Sequence, residues 1–407
     1  MAKIIVGMSG GVDSSVTAYL LKEQGYEVEG ISFILWEARN RVDITTCCSQ
    51  SMEEVSKNAY RIGIPHDIID LRDDFAKKVI EPFIFAYTTG STPNPCILCN
   101  RFIKFPFLLK EAEKRGAEYI STGHYARVEH VISDKLCVMS KKHGQDENAS
   151  RITRHALLKK GVDPKKDQSY VLYALRQEEL KRLILPLGYY RKEEVRKIAR
   201  ELKLPAAKKS ESQEICFIEG RNYFKFIERL SPLTGKPGPI VDKKGRVIGT
   251  HRGIYGYTIG QRKGLGISSP EPLYVVKIDA LENIIYVGPY EAAKKKEFFV
   301  EDLNWIIPPT PLIPTLVKGD KEWSKKECEG GLSFRASVKV RSTMKDEPAT
   351  ISLEANPPFT KGGMGGLSRE IVRVVFDKPY WAPAPGQSAV FYDGDAVIGG
   401  GVIKIPS

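Results

Sequence analysis

A glycine- and serine-rich turn is the clearest candidate for phosphate binding. It reads Ser9-Gly10-Gly11-Val12-Asp13-Ser14-Ser15 and lies between an apolar run at 3–8 and a helical pattern at 14–24. Glycines let backbone N–H groups approach phosphate oxygens, hydroxyls add donors, and the helix N-terminus adds partial positive charge. The turn lacks the Walker A and Gly-x-Gly-x-x-Gly patterns. The alternative is a tight strand-to-helix turn capped by Asp13 or Ser14.

Three of the seven cysteines have the spacing of reactive thiols. Cys96 and Cys99 form a Cys-x-x-Cys before a predicted helix, and Cys216 follows over a hundred residues later. The helix N-terminus, Arg101 and Lys104 predict a lowered thiol pKa. A zinc site would need a second Cys-x-x-Cys or paired histidines, which the sequence lacks. Two interpretations remain: thiols without a role, or distant thiols that meet, one carrying sulfur and the other resolving it.

Alternating strand and helix patterns up to about residue 210 predict the α/β domain that would position these groups. This order predicts a doubly wound parallel sheet with ligands at the carboxyl ends of its strands. Segments 134–142 and 154–160 interrupt the alternation and predict a hairpin around a polar surface insertion at 143–150. The next segment, to about 232, reads as helical.

From Gly235 onward, short β-rich runs divided by glycine and proline predict an all-β region of two small barrels. Residues 318–331 and 355–366 are predicted loop insertions in this region. The helical segment before it carries a local excess of positive charge. Residues 181–210 contain ten Lys/Arg and three Glu. This excess indicates either a solvated helix face or an anionic contact.

Composition narrows the class of protein. The 407 residues carry 62 Lys+Arg against 50 Asp+Glu, a net charge of +12, with 42% hydrophobic and 28% charged residues. These values argue against a disordered chain, and the sparse cysteines argue against a disulfide scaffold. No apolar run approaches the ~18 residues of a membrane span. We therefore expect a cytoplasmic protein without membrane contact, whose charge reflects either nucleic-acid binding or a basic background.

Seven sequence blocks, in order along nearly the full chain, form a recognisable pattern. They are the turn at 9–15, Asn94-Pro95-Cys96-Ile97-Leu98-Cys99-Asn100, Thr122-Gly123-His124-Tyr125, Lys166-Asp167-Gln168-Ser169-Tyr170, Ser212-Gln213-x-x-Cys216-Phe217, Gly256-Tyr257-Thr258-Ile259-Gly260-Gln261-Arg262-Lys263-Gly264-Leu265-Gly266 and Pro385-Gly386-Gln387-Ser388-Ala389-Val390-Phe391-Tyr392. The pattern resembles the tRNA-specific 2-thiouridylases (MnmA family) of the PP-loop ATP pyrophosphatase superfamily.

The resemblance implies ATP-dependent 2-thiolation of the wobble uridine of tRNA. ATP with Mg²⁺ would adenylate uracil O2, and sulfur from a Cys216 persulfide would displace AMP at C2. Cys99 would resolve the persulfide, giving 2-thiouridine, AMP, pyrophosphate and a Cys99–Cys216 disulfide. The implied partners are glutamate-, glutamine- and lysine-type tRNAs and a cysteine desulfurase or sulfur-relay protein.

The resemblance also implies roles for individual residues. The ATP-binding residues would be Gly7, Met8, Ser9, Gly10, Gly11, Val12, Asp13, Ser14, Ser15, Phe33 and Gly123. Those bordering the flipped target base would be Asn94, Pro95 and Cys96, and those contacting tRNA would be His124, Lys166, Asp167, Gln168, Arg341 and Gln387. Family members can carry aspartate where this chain has Cys96, so base contact, spare thiol and metal ligand remain open for it.

The implied domains are an ATP-binding catalytic domain (1–165), a mainly helical tRNA-binding domain (166–234), a small β-rich domain (235–300) and a β-barrel domain (301–407). Three rival hypotheses remain. An iron–sulfur cluster on Cys96, Cys99 and Cys216 could deliver sulfide. A related synthetase could attach nitrogen, but it would not need Cys99 and Cys216. An RNA-binding barrel protein could carry a degenerate nucleotide domain, although the intact turn argues against it.

Overall fold

The computed structural model describes the chain in stretches separated by gaps. The described residues are 1–36, 52–133, 153–208, 215–218, 223–231, 235–307, 333–354 and 370–404. The predicted segments at 134–142, 143–150, 318–331 and 355–366 lie outside them, as do Ser212, Gln213, Cys47, Cys48, Cys137 and Cys328.

The elements alternate in the first half and become all-β in the second. The strands are β1 (Lys3–Gly7), β2 (Glu27–Ile34), β3 (His66–Asp70), β4 (Tyr119–Thr122), β5 (Ala126–Ser133), β6 (Thr153–Lys160), β7 (Leu183–Ile184), β8 (Gly238–Val241), β9 (Val247–His251), β10 (Tyr274–Asp279), β11 (Ile284–Gly288), β12 (Lys294–Trp305), β13 (Ser333–Lys339), β14 (Glu347–Glu354), β15 (Ile371–Trp381), β16 (Ser388–Asp393) and β17 (Ala396–Lys404). The helices are α1 (Val12–Glu23), α2 (Met52–Ile62), α3 (Arg72–Phe75), α4 (Glu81–Thr88), α5 (Pro95–Cys99), α6 (Phe105–Lys114), α7 (Ser169–Leu172), α8 (Gln177–Leu180), α9 (Lys192–Glu201) and α10 (Tyr223–Leu230). π-Helical turns join α3 to α4 and α5 to α6.

The predicted parallel sheet is confirmed, with strand order β3-β2-β1-β4-β7 in the described residues. Its central strand is buried on both faces, because Ile4 and Val6 point to one apolar cluster and Ile5 to another. The first cluster contains residues of α1, α2 and α9, and the second contains residues of α6. This two-sided burial explains why β1 is an uninterrupted apolar run.

The hairpin that interrupts the alternation belongs to the C-terminal barrel as well as to the first domain. Its first strand is β5, which begins at Ala126, earlier than the predicted segment at 134–142. β6 pairs with β17 at Lys159 and Ala396, and Arg127 forms an ion pair with Asp395. The sequence gives no local signal for this pairing, because the partner strand lies more than two hundred residues away.

The predicted all-β region is also confirmed. In the described residues, β8–β11 form a sheet of order β10-β11-β8-β9 with its own apolar cluster. Strands β12, β15, β14, β13, β16 and β17 pair in that order, and β12 pairs again with β17 to close an antiparallel barrel. The apolar cluster on the α6 side of the parallel sheet continues into this barrel. The barrel is therefore packed directly against the first domain.

Candidate active site

The phosphate turn, Ser9–Ser15, follows β1, and its last four residues form the first turn of α1, which begins at Val12, two residues earlier than predicted. Gly10 has a φ of 75°, which favours glycine, and Ser14 closes the turn by accepting a hydrogen bond from Ser9 N (3.1 Å). The N-cap residue, Gly11, has no side chain to cap the helix. The first N–H groups of α1 are therefore suited to an anion rather than already used by a cap.

A second turn approaches the phosphate turn at Gly123, which follows β4. A Cβ atom at Gly123 would lie 2.7 Å from Ser14 N and 2.8 Å from the Asp13 carbonyl carbon. Such distances are too short for any side chain without a backbone shift. Only glycine lets the end of β4 approach the start of α1 this closely, so Gly123 lies directly beside the phosphate turn.

Lys192 is a candidate site residue that the sequence analysis did not identify. Its ammonium donates to both carboxylate oxygens of Asp13, at 2.6 and 2.7 Å, and Tyr125 Oη donates to Asp13 Oδ1 at 2.7 Å. The Lys192 side chain is only 12% exposed. The excess of positive charge at 181–210 was the available signal, but it did not distinguish Lys192 from its neighbours.

The remaining residues assigned to ATP lie along the carboxyl ends of β1 and β2. Met8 is buried, and its N–H donates to Ile31 O at 2.7 Å. Phe33 is half-buried and packs edge-on against Phe107, with 6.5 Å between ring centroids. An adenine contact at Phe33 stays a prediction.

The Cys-x-x-Cys segment forms the short helix α5, which Asn94 and Pro95 start. Asn94 Oδ1 accepts a hydrogen bond from Cys96 N at 3.1 Å, and Pro95 takes the first helical position, where its missing N–H is not needed. Cys96 is exposed and Cys99 is buried. The helix continues into a π-helical turn, a feature that often occurs at functional sites.

The prediction of a lowered thiol pKa is wrong for Cys99. Burial raises the pKa of Cys99 to about 12, and the nearby Lys104 only partly opposes this effect. Arg101, the other predicted cation, forms an ion pair with Asp302 of the barrel instead. Desolvation of the Cys99 thiolate therefore outweighs the attraction of Lys104.

Cys216 lies beside Cys99 in space, as the two-thiol hypothesis predicts. Both belong to one apolar cluster, and the proximity of Cys216 further raises the pKa of Cys99. Phe217 anchors Cys216, because its buried ring packs against Phe75 and Phe83 with centroid distances of 5.6 and 5.3 Å. Tertiary packing thus joins two thiols that are far apart in the sequence.

We expect iodoacetamide to modify exposed Cys96 first, half-buried Cys216 next and Cys99 last. Because burial disfavours its thiolate, Cys99 should react at least about tenfold more slowly than Cys96 at neutral pH. Its rate should continue to rise as the pH increases from 9 towards 12. Peptide-resolved mass spectrometry of a time course measures each site. Equal rates for Cys96 and Cys99 would contradict the buried position of Cys99.

A metal centre does not fit the thiols in this arrangement. Within the described stretches, no group of three His, Cys, Asp or Glu side chains is placed to hold a metal ion. Cys96 is exposed, Cys216 is half-buried and Cys99 is buried, so the three thiols differ in their access to solvent. No step of the reaction is therefore derived through an iron–sulfur cluster.

The residues assigned to tRNA near the phosphate turn are mostly engaged within the protein. His124 is 7% exposed, with Nδ1 at 2.6 Å from Thr122 Oγ1, and burial lowers its pKa well below 6.5. A neutral, buried imidazole offers no charge to a phosphate. Asp167 accepts hydrogen bonds from Gly161 N and Ser169 N at 3.1 Å.

Gln168 joins its segment to the turn after β4, because its Oε1 accepts a hydrogen bond from Tyr125 N at 3.0 Å. Lys166 is half-buried in the preceding turn. Direct tRNA contacts by His124, Lys166, Asp167 and Gln168 stay predictions. In this conformation, Asp167 and Gln168 order the backbone on which Lys166 is carried.

Arg341 and Gln387 lie where the barrel meets the other modules. Arg341 Nη2 donates to Ile259 O at 2.7 Å and to Ala382 O at 3.0 Å. Gln387 Nε2 donates to Thr92 O at 3.0 Å, just before α5. Arg341 therefore links the barrel to the loop that contains Ile259, and Gln387 links it to the loop before α5. Contacts of these two side chains with tRNA stay predictions.

Three protein-family models match successive parts of this architecture. The family described as "tRNA methyl transferase HUP domain" matches residues 2–220, its PRC-barrel domain matches 225–289, and the "Aminomethyltransferase beta-barrel domain" matches 364–403. The fold and the phosphate turn thus define a HUP-domain protein extended by two β modules.

Similar full-length proteins narrow this class to one family. The chain is 44% identical over 406 residues to the tRNA-specific 2-thiouridylase MnmA 1 of Caldanaerobacter subterraneus subsp. tengcongensis, covering 99% of this chain and 98% of that protein. It is 41% identical over 404 residues to the tRNA-specific 2-thiouridylase MnmA of Clostridioides difficile, with the same coverage of 99% and 98%. The chain belongs to the tRNA-specific 2-thiouridylase family, whose members are sulfur-transferring enzymes.

Among solved structures, a 4-thiouridine synthetase in complex with RNA and bound ATP has a TM-score of 0.35 and 17% identity, covering 57% of this chain and 51% of that one. A likeness at this level supports no inference about function. Within the described residues, no helix has the length and apolar character needed to cross a membrane.

Proposed function

We propose that this enzyme replaces O2 of the wobble uridine of tRNA with sulfur, using ATP and a cysteine persulfide. The observation that carries the proposal is the meeting of Cys99 and Cys216 in one cluster at the edge of the sheet that also carries the phosphate turn. That cluster includes Leu35, which follows β2, and the phosphate turn follows the adjacent strand β1. The carboxyl ends of neighbouring parallel strands share one edge, where ligands bind.

The first proposed step activates the base. Uracil O2 attacks the α-phosphate of ATP, pyrophosphate leaves, and the adenylated oxygen becomes a good leaving group. The N–H groups at the start of α1 would bind the phosphates. Lys192 is positioned to stabilise their negative charge if it exchanges one contact with Asp13 for a phosphate oxygen.

Mg²⁺ is expected to accompany ATP. The carboxylate in the turn, Asp13, already accepts hydrogen bonds from Lys192 and Tyr125. Mg²⁺ usually keeps several waters and binds through substrate phosphates with few protein ligands. The phosphates would therefore hold most of its coordination sphere, and the ion would neutralise charge on them.

The second step transfers sulfur. The terminal sulfur of a Cys216 persulfide attacks C2 and AMP leaves, so that a disulfide links the base to Cys216. The Cys99 thiolate then attacks the Cys216 sulfur, which breaks that bond and leaves a thiocarbonyl at C2. The product is a Cys99–Cys216 disulfide, and a thiol reductant restores both cysteines.

The raised pKa of Cys99 has a consequence for this step. A thiol with a pKa of about 12 is protonated at neutral pH, and the protonated form is a poor nucleophile. We therefore expect substrate binding to change the surroundings of Cys99 in a way that favours the thiolate. We extend the proposal to glutamate-, glutamine- and lysine-type tRNAs as substrates and to a cysteine desulfurase or sulfur-relay protein as the sulfur donor.

An in vitro thiolation assay tests the proposed function. Purified protein, Mg-ATP, a cysteine desulfurase with cysteine, and unmodified glutamate-type tRNA are incubated, and nucleosides are identified by mass spectrometry. We expect 2-thiouridine that depends on ATP and forms with colourless enzyme. Product that appears only after anaerobic reconstitution with iron would favour the cluster hypothesis. ATP-independent tRNA binding without AMP release would favour an RNA-binding protein.

Replacing Lys192 with methionine should raise the KM for ATP by about tenfold or more, because a hydrogen bond to a charged group contributes about 1.5–3 kcal/mol. The KM for tRNA should remain unchanged. Initial rates of AMP formation at several ATP concentrations measure the effect. The matched control is Lys197→Met, because Lys197 is on the same helix but is 73% exposed. An unchanged KM for ATP would mean that Lys192 neutralises Asp13 and does not bind the phosphates of ATP.

A further inference from the structure

The C-terminal barrel reaches the helix that carries Cys99 through an irregularity in β12. The pairing of β12 with β17 shifts register between Glu301 and Asn304. Asp302, inside this irregularity, has a φ of 53°, a left-handed conformation that few residues other than glycine adopt and that aspartate and asparagine tolerate best. Bulges of this kind redirect side chains away from the regular pleat.

Asp302 forms a two-pronged ion pair with Arg101, which lies two residues after Cys99. Arg101 Nη1 donates to Asp302 Oδ2 at 2.5 Å, and Nη2 donates to Oδ1 at 3.2 Å. A guanidinium held at two points by a carboxylate is fixed in orientation as well as in distance. The pair therefore restrains the direction in which the helix leaves Cys99.

A neighbouring segment connects the same two elements by hydrogen bonds. Asn304 Nδ2 donates to Tyr173 O at 2.6 Å and to Leu175 O at 2.9 Å. Asn100, next to Cys99 in the chain, donates from Nδ2 to Val171 O at 2.9 Å. Residues 171–175 thus contact both β12, through Asn304, and the Cys99 helix, through Asn100. The Arg101–Asp302 ion pair links β12 to the same helix directly.

We propose that the Arg101–Asp302 pair is a positioning contact through which the C-terminal barrel holds the Cys99 helix for sulfur transfer. The inference rests on the proposed function of Cys99. The pair is partly exposed, with side-chain exposures of 31% and 54%, so its contribution to folding is small. Its effect lies in geometry, since a displacement of about 1 Å at reacting groups can cost up to a hundredfold in rate.

The test compares kinetics of Asp302→Asn and Arg101→Gln with the wild-type enzyme. Asparagine suits the left-handed backbone at position 302, so this variant removes charge without backbone strain. We expect each variant to lower kcat for thiolation by about tenfold and to leave the KM values for ATP and tRNA unchanged. The double variant should be no worse than either single variant, because both remove the same contact. Arg101→Lys should restore part of the rate.

A matched control exists on the same barrel. Arg335 and Asp377 form another two-pronged pair, with both N–O distances at 2.6 Å and exposures of 53% and 51%. That pair joins β13 to β15 and does not touch the Cys99 helix. Arg335→Gln and Asp377→Asn should therefore leave kcat unchanged.

Alkylation of Cys99 provides a readout that is independent of thiolation. Releasing the helix should speed iodoacetamide modification of Cys99 severalfold in Asp302→Asn and leave it unchanged in Asp377→Asn. If wild-type enzyme fails to thiolate tRNA, the proposed function fails, while the alkylation rates still test the positioning contact. The inference is overturned if Asp302→Asn matches Asp377→Asn in kcat or in alkylation rate, or if the losses of the single variants add in the double variant.

Discussion

Replacing Cys216 with serine is expected to reduce 2-thiouridine below detection. Serine cannot form a persulfide, so the sulfur atom that should reach C2 has no carrier. Cys99→Ser should likewise stop turnover, because the linkage between base and Cys216 would not be resolved. Mass spectrometry of tRNA nucleosides measures product, and mass spectrometry of the protein should detect the added sulfur on Cys216 in the Cys99→Ser variant.

Cys96→Ser is the informative control for these two variants. Cys96 is exposed and lies three residues before Cys99, so it shares the segment without sharing the buried cluster. Under the two-thiol mechanism, this variant should retain ATP-dependent thiolation. If Cys96→Ser is as inactive as the other two, three thiols are required and the two-thiol mechanism is wrong. If Cys216→Ser still produces 2-thiouridine, Cys216 is not the sulfur carrier.

The second large effect is expected at Gly123. Alanine there would place Cβ within 2.8 Å of backbone atoms of Asp13 and Ser14, so the start of α1 or the end of β4 must move. Because the same N–H groups would bind the phosphates, we expect at least about a hundredfold loss in kcat/KM for ATP. Initial rates of AMP formation measure this loss, and binding of tRNA should remain close to that of the wild type.

Gly116→Ala separates this steric effect from a general loss of stability. Gly116 has a φ of 66°, which disfavours alanine, but nothing lies within 4 Å of the added Cβ. The control should therefore lower the melting temperature while leaving the KM for ATP unchanged. Normal ATP use by Gly123→Ala would show that the turn after β4 does not constrain the phosphate site.

Local sequence signals were sufficient where the contact partners are close in the chain. The apolar run, glycine turn and helical pattern over residues 3–24 gave the strand, the turn and α1, because neighbouring backbone atoms decide these elements. The alternation of strands and helices likewise gave the parallel sheet. The pairing of β6 with β17 could not be predicted, because the residue pattern of a strand does not show which distant strand will pair with it.

The candidate site shows the same division. The residue types at Cys99 and Cys216 indicated a pair of reactive thiols, and the family resemblance gave their order of action. The pKa of Cys99 depends on how completely the fold removes water from the thiol, so the prediction from the helix N-terminus, Arg101 and Lys104 had the wrong direction. The sequence did not distinguish Lys192 from the neighbouring lysines, because its hydrogen bond to Asp13 forms only when the two helices pack together.

The sequence by itself therefore determined the fold class and the position of the phosphate turn, since these depend on local geometry. Its residue types indicated Cys99 and Cys216 as candidates for carrying sulfur, because thiols have the chemistry that this role needs. Only the tertiary structure decided which charged side chains form ion pairs and how deeply each thiol is buried. It also decided that Asp302 of the C-terminal barrel pairs with Arg101 beside Cys99. These properties depend on desolvation and on contacts between residues far apart in the chain. Such contacts are set by the packing of whole domains.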